Sequence, residues 1–264
     1  FAPLKEDGSL DFEKYKQMLS AKTKIVSLVQ LSNALGVWND LAPFAKEAHK
    51  HGAYFVVDAA QSVSSRPVDV QYLDCDFLVF SGHKFFGPTG VGVLYGREEI
   101  LKEMPPFFGG GSMIDSVDET QVTFLPPPHR FEAGTPPIVE VIALGEAIRF
   151  YSALDQSELQ AHDQNLLKLA HAEIEKMDGV RVFAAKLDRS HVLSFAMKGA
   201  HPSDVGAMLN EQGIAVRAGH HCCQPLMAKL GIPGTVRASF SIYSTEEDVR
   251  RLVSAMNKVK GFFT

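Results

Sequence analysis

Short continuous apolar runs alternate with stretches of helical periodicity along this chain. Residues 24–31 (KIVSLVQL) and 53–58 (AYFVVD) read as strands buried on both faces. Apolar residues at helical spacing occupy 10–19 and 40–51, the second stretch being stopped by Gly52. A third strand at 77–80 runs straight into SGHK, and a fourth lies at 92–95. From 107 to 137 the character changes to GGGSM, PPP and EAGTPP, which do not sustain regular elements and read as a long functional excursion. Helical patterns return at 138–153 and 157–176. They are followed by strands at 180–183 and 191–196, a helix at 202–212, strands at 214–217 and 235–239, and a closing helix at 245–260. This order predicts an α/β architecture with a mainly parallel sheet over residues 1–150, and a smaller α+β C-terminal domain over 151–264.

Composition narrows the class. Hydrophobic residues make up 45% and charged residues 22%, which excludes the disordered and fibrous classes. Lys and Arg total 26 against 31 Asp and Glu, a net charge of −5 with no basic block, so nucleic acid is excluded as an expected partner. No window approaches the roughly 18 apolar residues of a membrane span, and the opening lacks a basic region followed by an apolar one. The 3 cysteines are an odd number, with Cys222 and Cys223 adjacent, which fits a reducing compartment better than a disulfide scaffold.

Ligands of parallel sheets bind beyond the carboxyl ends of the strands. There the chain carries Asn33, Asp58, and Ser81 with His83 and Lys84. A lysine that leaves an apolar strand for a glycine-flanked loop can be desolvated and made available for Schiff-base chemistry, although most lysines are simply solvated. Asp58 and Gln61 can reach the same crevice, and Asp58 can equally cap the following turn. Pyridoxal phosphate needs a lysine and an acidic partner for its ring nitrogen, with Ser81 and His83 as phosphate donors. A second constellation is Arg217, His220, His221, Cys222 and Cys223. Contiguous residues converge poorly on a tetrahedral metal, so no metal is expected; a loop cysteine beside histidines and an arginine suits a reactive thiol. Cys75 reads as an inert buried cysteine. Arg237, in an apolar neighbourhood, needs an anion, either a ligand carboxylate or an internal Asp or Glu.

The strings SNALG (32–36), VDAAQS (57–62), DFLVFSGHKFFGPTGVGVLYG (76–96), GGGSM (109–113), RFEAGTP (130–136), VRAGHHCCQPLM (216–227) and VRASFSIYST (236–245) together resemble the group II, SufS-type cysteine desulfurases. These are class V aminotransferase-like members of the fold-type I pyridoxal 5′-phosphate enzymes. The resemblance implies the PLP-dependent transferase fold. It maps Lys84 onto the Schiff-base lysine, Asp58 onto the pyridinium partner, Gln61 onto the residue bonded to the phenolic oxygen, and Ser81 and His83 onto phosphate donors. Thr135 corresponds to a residue that reaches the phosphate in a neighbouring subunit, which implies a homodimer. Arg237 and Asn33 correspond to the pair that holds the substrate carboxylate, with Arg217 near the same end, and Cys222 to the sulfur acceptor.

The implied reaction converts L-cysteine to L-alanine and leaves a persulfide on Cys222, which a SufE- or SufU-like protein takes toward iron–sulfur cluster assembly. Bacterial cytoplasm and plastid stroma are the implied compartments. A selenocysteine lyase and a non-catalytic scaffold fragment of the same fold are the alternatives. Position 223 is Cys where the family commonly has Ala, and Cys223 is read as a bystander or oxidation liability. Family members begin well upstream of FAPLKEDG, so the resemblance also implies that the N-terminal portion of the large domain is absent, with weak cofactor binding and exposed apolar sheet surface as expected consequences.

Overall fold

The computed structural model describes residues 1–263. In the first half of the chain it forms α1 (Phe12–Met18), β1 (Ile25–Val29), α2 (Ala42–Lys50), β2 (Tyr54–Asp58), α3 (Val70–Leu73), β3 (Phe77–Ser81), β4 (Gly92–Gly96), α4 (Glu98–Glu103), β5 (Ile114–Val117) and β6 (Val122–Phe124). The second half forms α5 (Ile138–Ser152), α6 (Gln156–Ile174), β7 (Val180–Val182), β8 (Val192–Met197), α7 (Pro202–Glu211), β9 (Arg217–Gly219), α8 (Gln224–Leu230), β10 (Thr235–Ser239) and α9 (Glu246–Lys260). These elements fall into two compact units, one of residues 19–29 and 41–154, the other of residues 1–18, 30–40 and 155 onward. No helix of the described residues is long and apolar enough to cross a membrane.

The first unit is built on a sheet of order β1-β2-β3-β4, in which β1, β2 and β3 run parallel and β4 antiparallel. The mainly parallel sheet is thus as the alternation predicts. Burial differs from the expectation of strands covered on both faces. Val26, Leu28, Phe55 and Val57 are buried, and α2, which packs on β2, buries Phe44, Ala45 and Ala48. Cross-strand neighbours Ile25 and Tyr54 are 65% and 45% exposed. Within this unit the described residues cover one face only, so a continuous apolar run here marks two apolar faces, of which one is open. The excursion at 107–137 also holds more structure than its composition suggests. β5 and β6 pair as an antiparallel hairpin, and the Gly134 N–H donates to the Gly111 carbonyl at 2.8 Å, tying EAGTP to GGGSM.

The second unit has an antiparallel sheet of order β7-β8-β10-β9, with α6, α7 and α9 packed on its core. In α9 the Thr245 hydroxyl accepts from the Asp248 N–H while the Asp248 carboxylate accepts from Thr245, a capping box that starts the helix. Val249, Leu252, Ala255, Met256 and Val259 then recur at helical spacing and are buried. The strand expected at 214–217 lies later, at β9. Ile214 and Val216 are apolar because they pack on the core, whereas pairing with β10 begins at Arg217. α8 follows from signals the sequence reading passed over: Pro225 in its first turn, Leu226 and Met227 buried, and Gly231 in the left-handed region at its end.

Residues 30–40 join this unit through SNALG. The Ser190 N–H donates to the Gly36 carbonyl at 2.9 Å, and the Ser194 hydroxyl donates to the Ala34 carbonyl. Gly36 has φ +71° and sits so close to β8 that an added Cβ would lie 2.5 Å from the Val192 carbonyl oxygen. Only glycine satisfies both conditions, and the close approach sets Asn33 beside β10.

Candidate active site

In the first unit the candidate residues gather at the carboxyl ends of two adjacent parallel strands. Asp58 ends β2 and pairs in register with Val79 of β3, whose last residue is Ser81. The chain then makes one 3₁₀ turn, Gly82–Lys84, locked by the Gly82 N–H donating to the Val91 carbonyl at 2.9 Å. A Cβ at Gly82 would meet Val91 Cγ1 at 2.9 Å, so the turn that projects Lys84 requires glycine there. Lys84 and His83 are exposed, with no cover from the described residues of this unit. Asp58 is exposed too, and its Oδ1 accepts from the Ala60 N–H at 2.9 Å, so it does cap the following turn. Gln61 and Ser81 are half-buried, and the Ser81 hydroxyl makes no capping bond to the turn it precedes. Thr135 is exposed on the segment tied to GGGSM. A primary amine, a carboxylate and an uncommitted hydroxyl at adjacent strand ends fit the donor set that pyridoxal phosphate requires.

In the second unit the chemistry centres on Cys222. It is exposed, and Arg217 Nη2 donates to its Sγ at 3.3 Å, which sets a positive charge against the sulfur. An open cleft of about 470 Å³ borders it, lined by Arg217, His220, His221, Cys222 and Gln224. Arg217 and Arg237 are register partners on β9 and β10. Like charges directly opposite each other across antiparallel strands repel, and the pair is satisfied when an anion is shared between them.

Arg237 is half-buried; its Nη1 donates to the Asn33 carbonyl at 2.7 Å, its buried Nε has no partner, and no carboxylate pairs with it among the described residues. The internal salt bridge that competed for Arg237 is therefore not formed. Burial and the Arg217 charge both push its pKa down. Asn33 Nδ2 donates in turn to the His221 carbonyl at 2.7 Å, so Asn33, Arg217, Arg237 and Cys222 do come together.

The histidines part company. His220 is exposed, while His221 is 2% exposed and reaches β10, with Nε2 at 2.8 Å from Thr235 Oγ1 and 3.1 Å from its carbonyl. Burial and the Arg237 charge lower its pKa to about 4, so it is neutral. Burial, with Arg237 beside it, also takes His191 down to about 4. Cys223 is half-buried against an apolar cluster of Leu35, Phe183 and Leu226, and burial followed by the nearby Cys222 raises its thiol. Cys75 is buried, its thiol pushed up to about 11 by desolvation, in line with an inert role. Among the described residues no group of three His, Cys, Asp or Glu side chains forms a metal cluster. Sequence reasoning missed Thr235, and it placed His221 only in a motif; the contact joins positions with no local sequence signature.

Comparison with known proteins agrees across nearly the whole length. The model of the aminotransferase class-V family matches residues 1–252. A probable cysteine desulfurase of Streptomyces coelicolor is 42% identical over 262 residues, covering 98% of this chain and 63% of that protein. A cysteine desulfurase of Escherichia coli O8 is 44% identical over 258 residues, covering 97% of this chain and 63% of its own length. Among solved structures, the Escherichia coli cysteine desulfurase CsdA in an S-sulfonic acid form superposes with a TM-score of 0.94 at 39% identity, over 100% of this chain and 65% of that one. The apo cysteine desulfurase of Thermococcus onnurineus gives 0.92 at 39% identity, over 99% and 66%. The chain thus spans slightly under two thirds of the length of the curated relatives it matches.

Proposed function

This chain belongs to the aminotransferase class-V family, and from that premise we propose that it is part of a pyridoxal 5′-phosphate-dependent cysteine desulfurase. The observation that carries the proposal is the exposed Cys222 sulfur held against Arg217, with Arg237 directly across the strands. Transamination needs no thiol, whereas sulfur abstraction needs one that is exposed and beside a cation. The desulfurase relatives at 42% and 44% identity support the same choice.

In this reading residues 1–150 supply the large cofactor-binding domain and 151–264 the small domain that carries the cysteine loop, with 1–18 and 30–40 grouped with the latter. Lys84 would hold the cofactor covalently, Asp58 would serve its ring nitrogen, Gln61 its phenolic oxygen, and Ser81 and His83 its phosphate. When bound, the cofactor supplies an electron sink at the substrate α-carbon. Arg237 and Asn33, with Arg217 nearby, take the substrate carboxylate. Lys84, its amine set free when the substrate amine takes its place, acts as general base, removing and returning the proton at the α-carbon. The Cys222 thiolate attacks the substrate sulfur; the sulfur–sulfur bond forms as the carbon–sulfur bond breaks, and the carbon takes the electron pair and then a proton to give L-alanine. The persulfide on Cys222 passes to a SufE- or SufU-like acceptor.

Thr135 serves the phosphate in the neighbouring subunit of a homodimer, a role supported by its exposure and by the apolar surface of α5, where Val139 and Ile142 are 75% and 66% exposed. The bacterial cytoplasm, or the plastid stroma, is the compartment that suits this chemistry.

The test is turnover by the full-length holoenzyme. L-cysteine is expected to yield L-alanine with a 32-Da adduct on the peptide containing Cys222 (one sulfur, about 32 Da, gained per persulfide), and borohydride is expected to fix the cofactor mass on Lys84. Cys222→Ala should abolish alanine formation from cysteine. Turnover of selenocysteine alone would instead assign a selenocysteine lyase, and no cofactor on Lys84 would leave only a scaffold.

A further inference from the structure

We infer that His221 is a positioning residue that holds the Cys222 sulfur in place by keeping a strained turn closed, a role that deepens the desulfurase reading and rests on it. The turn runs from His220 to Cys223, with the Cys223 N–H donating to the His220 carbonyl at 2.9 Å. Its two central residues, His221 and Cys222, have φ +53° and +61°. Positive φ at both central positions is the type I′ pattern, whose usual occupants are Asn and Gly. Neither is present. Each left-handed non-glycine residue costs about 1–2 kcal/mol, so a histidine and a cysteine here form a turn that relaxes unless its surroundings hold it.

Two contacts from outside the turn hold it, and both are made by His221. Its side chain is anchored on β10, with Nε2 within reach of both the hydroxyl and the carbonyl of fully buried Thr235. A carbonyl only accepts, so Nε2 carries the ring hydrogen and Nδ1 is bare; Nδ1 is buried without a partner, which suits the neutral ring. The His221 carbonyl accepts from Asn33 Nδ2, and Asn33 is itself held by Arg237. Thr235 is the register partner of Gly219, two residues after Arg217 on the same strand. The anchor of His221 and the arginine that touches Cys222 are therefore fixed to one strand pair, and the sulfur is set against the guanidinium by rigid elements rather than by loop chance.

The contact from Arg217 to Cys222 shows the result of this arrangement; the turn is its cause. His221 is the turn's one fully buried side chain: His220 and Cys222 are exposed, and Cys223 is half-buried against the Leu35, Phe183 and Leu226 cluster. The imidazole makes no hydrogen bond to the sulfur, its Nε2 being on Thr235 and its Nδ1 without a partner, so its effect is on orientation.

The experiment compares the full-length holoenzyme with His221→Ala, His221→Gln and Thr235→Val. Gln places its amide nitrogen near the position of Nε2 and can donate to Thr235, whereas Ala cannot. In His221→Ala, kcat for alanine formation should fall about 10- to 100-fold, the range expected of a reacting atom misplaced by about an ångström. KM for L-cysteine and cofactor absorbance should stay near the parent values, since Arg237 and Lys84 are untouched. His221→Gln should recover most of kcat, and Thr235→Val should show a smaller fall in the same direction if His221→Ala fails to fold.

A second readout needs no turnover. Alkylation of Cys222 by iodoacetamide, followed by peptide mass, should change several-fold in His221→Ala, with buried Cys75 unlabelled as a control for folding. Unchanged kcat and unchanged alkylation in His221→Ala would overturn the inference, as would a loss that raises KM and strips cofactor together. Should the parent enzyme make no alanine, the desulfurase reading fails, while the alkylation comparison still decides whether His221 holds the turn.

Discussion

Asp163 offers a direct measurement of how dry the second unit is. It sits on the inward face of α6 with Leu166, Leu167 and Ala170, is 7% exposed, and its Oδ1 has no hydrogen-bond partner. Desolvation raises its carboxyl to about 6, with the charge of His162 acting weakly the other way. Between its ordinary value of 3.8 and about 6 the native state keeps a proton that the unfolded chain has released, so stability falls as pH rises through that window. At about 1.4 kcal/mol for each pH unit, the native state is poorer by about 3 kcal/mol at pH 8 than at low pH on account of this one group.

Asp163→Asn has nearly the same shape and does not titrate. Urea unfolding of parent and variant should therefore agree to within about 1 kcal/mol near pH 4 and diverge by about 2–3 kcal/mol in favour of the variant near pH 8. His191 and His221 titrate in both proteins and cancel in the difference. Their lowered values act with the opposite sign, removing stability as pH falls from 6.5 toward about 4. A gap that does not vary with pH would refute the desolvated carboxyl, and a variant less stable at pH 8 would mean that Asp163 is charged and partnered in the native state.

Gly36→Ala should cost about 2–4 kcal/mol, measured by thermal or urea unfolding, because it combines a left-handed backbone with a clash at Val192; a cost below about 1 kcal/mol would mean that the loop can back away from β8. Cys223→Ala should keep alanine formation within about twofold of the parent, since its raised, half-buried thiol packs on an apolar cluster and small apolar exchanges there cost little. Collapse of turnover in Cys223→Ala with survival in Cys222→Ala would reverse the assignment of the sulfur acceptor.

The strands were legible because β1, β2 and β3 are short apolar runs, and the parallel pairing of β1 with β2 follows from the helical pattern between them, whereas the short α3 between β2 and β3 carries no such pattern. What the runs could not reveal is which of their faces is covered. Ile25 and Tyr54 read as core residues in the sequence and are exposed in this chain, which spans slightly under two thirds of its relatives' length. Composition misled in the other direction at 107–137: the glycine and proline content hides the short IDSV and VTF segments that pair as β5 and β6. Strand β9 was displaced in the reading for a related reason. Ile214 and Val216 carry the apolar signal, but hydrogen-bond pairing begins where that signal ends, at Arg217.

The two groups of candidate residues, one in each unit, differ in legibility for a physical reason. Asp58, Gln61, Ser81, His83 and Lys84 lie within two short strings, and each string is a strand end, so local order already implies a shared location. The residues around Cys222 are assembled by register. Arg217 faces Arg237 only because β9 pairs with β10, and Asn33 reaches them only because Gly36 lets its loop press against β8. His221 lies deeper still. Histidine does not advertise a positive φ as glycine or asparagine does, and its anchor Thr235 is an ordinary strand residue. A motif read as GHHCC suggests that both histidines serve the thiol directly, but the fold turns one outward and uses the other as a peg. The strain at His221 and Cys222 thus marks function more specifically than residue type does: a left-handed histidine before an exposed left-handed cysteine is costly, and the contacts to Thr235 and Asn33 are what make that conformation tenable.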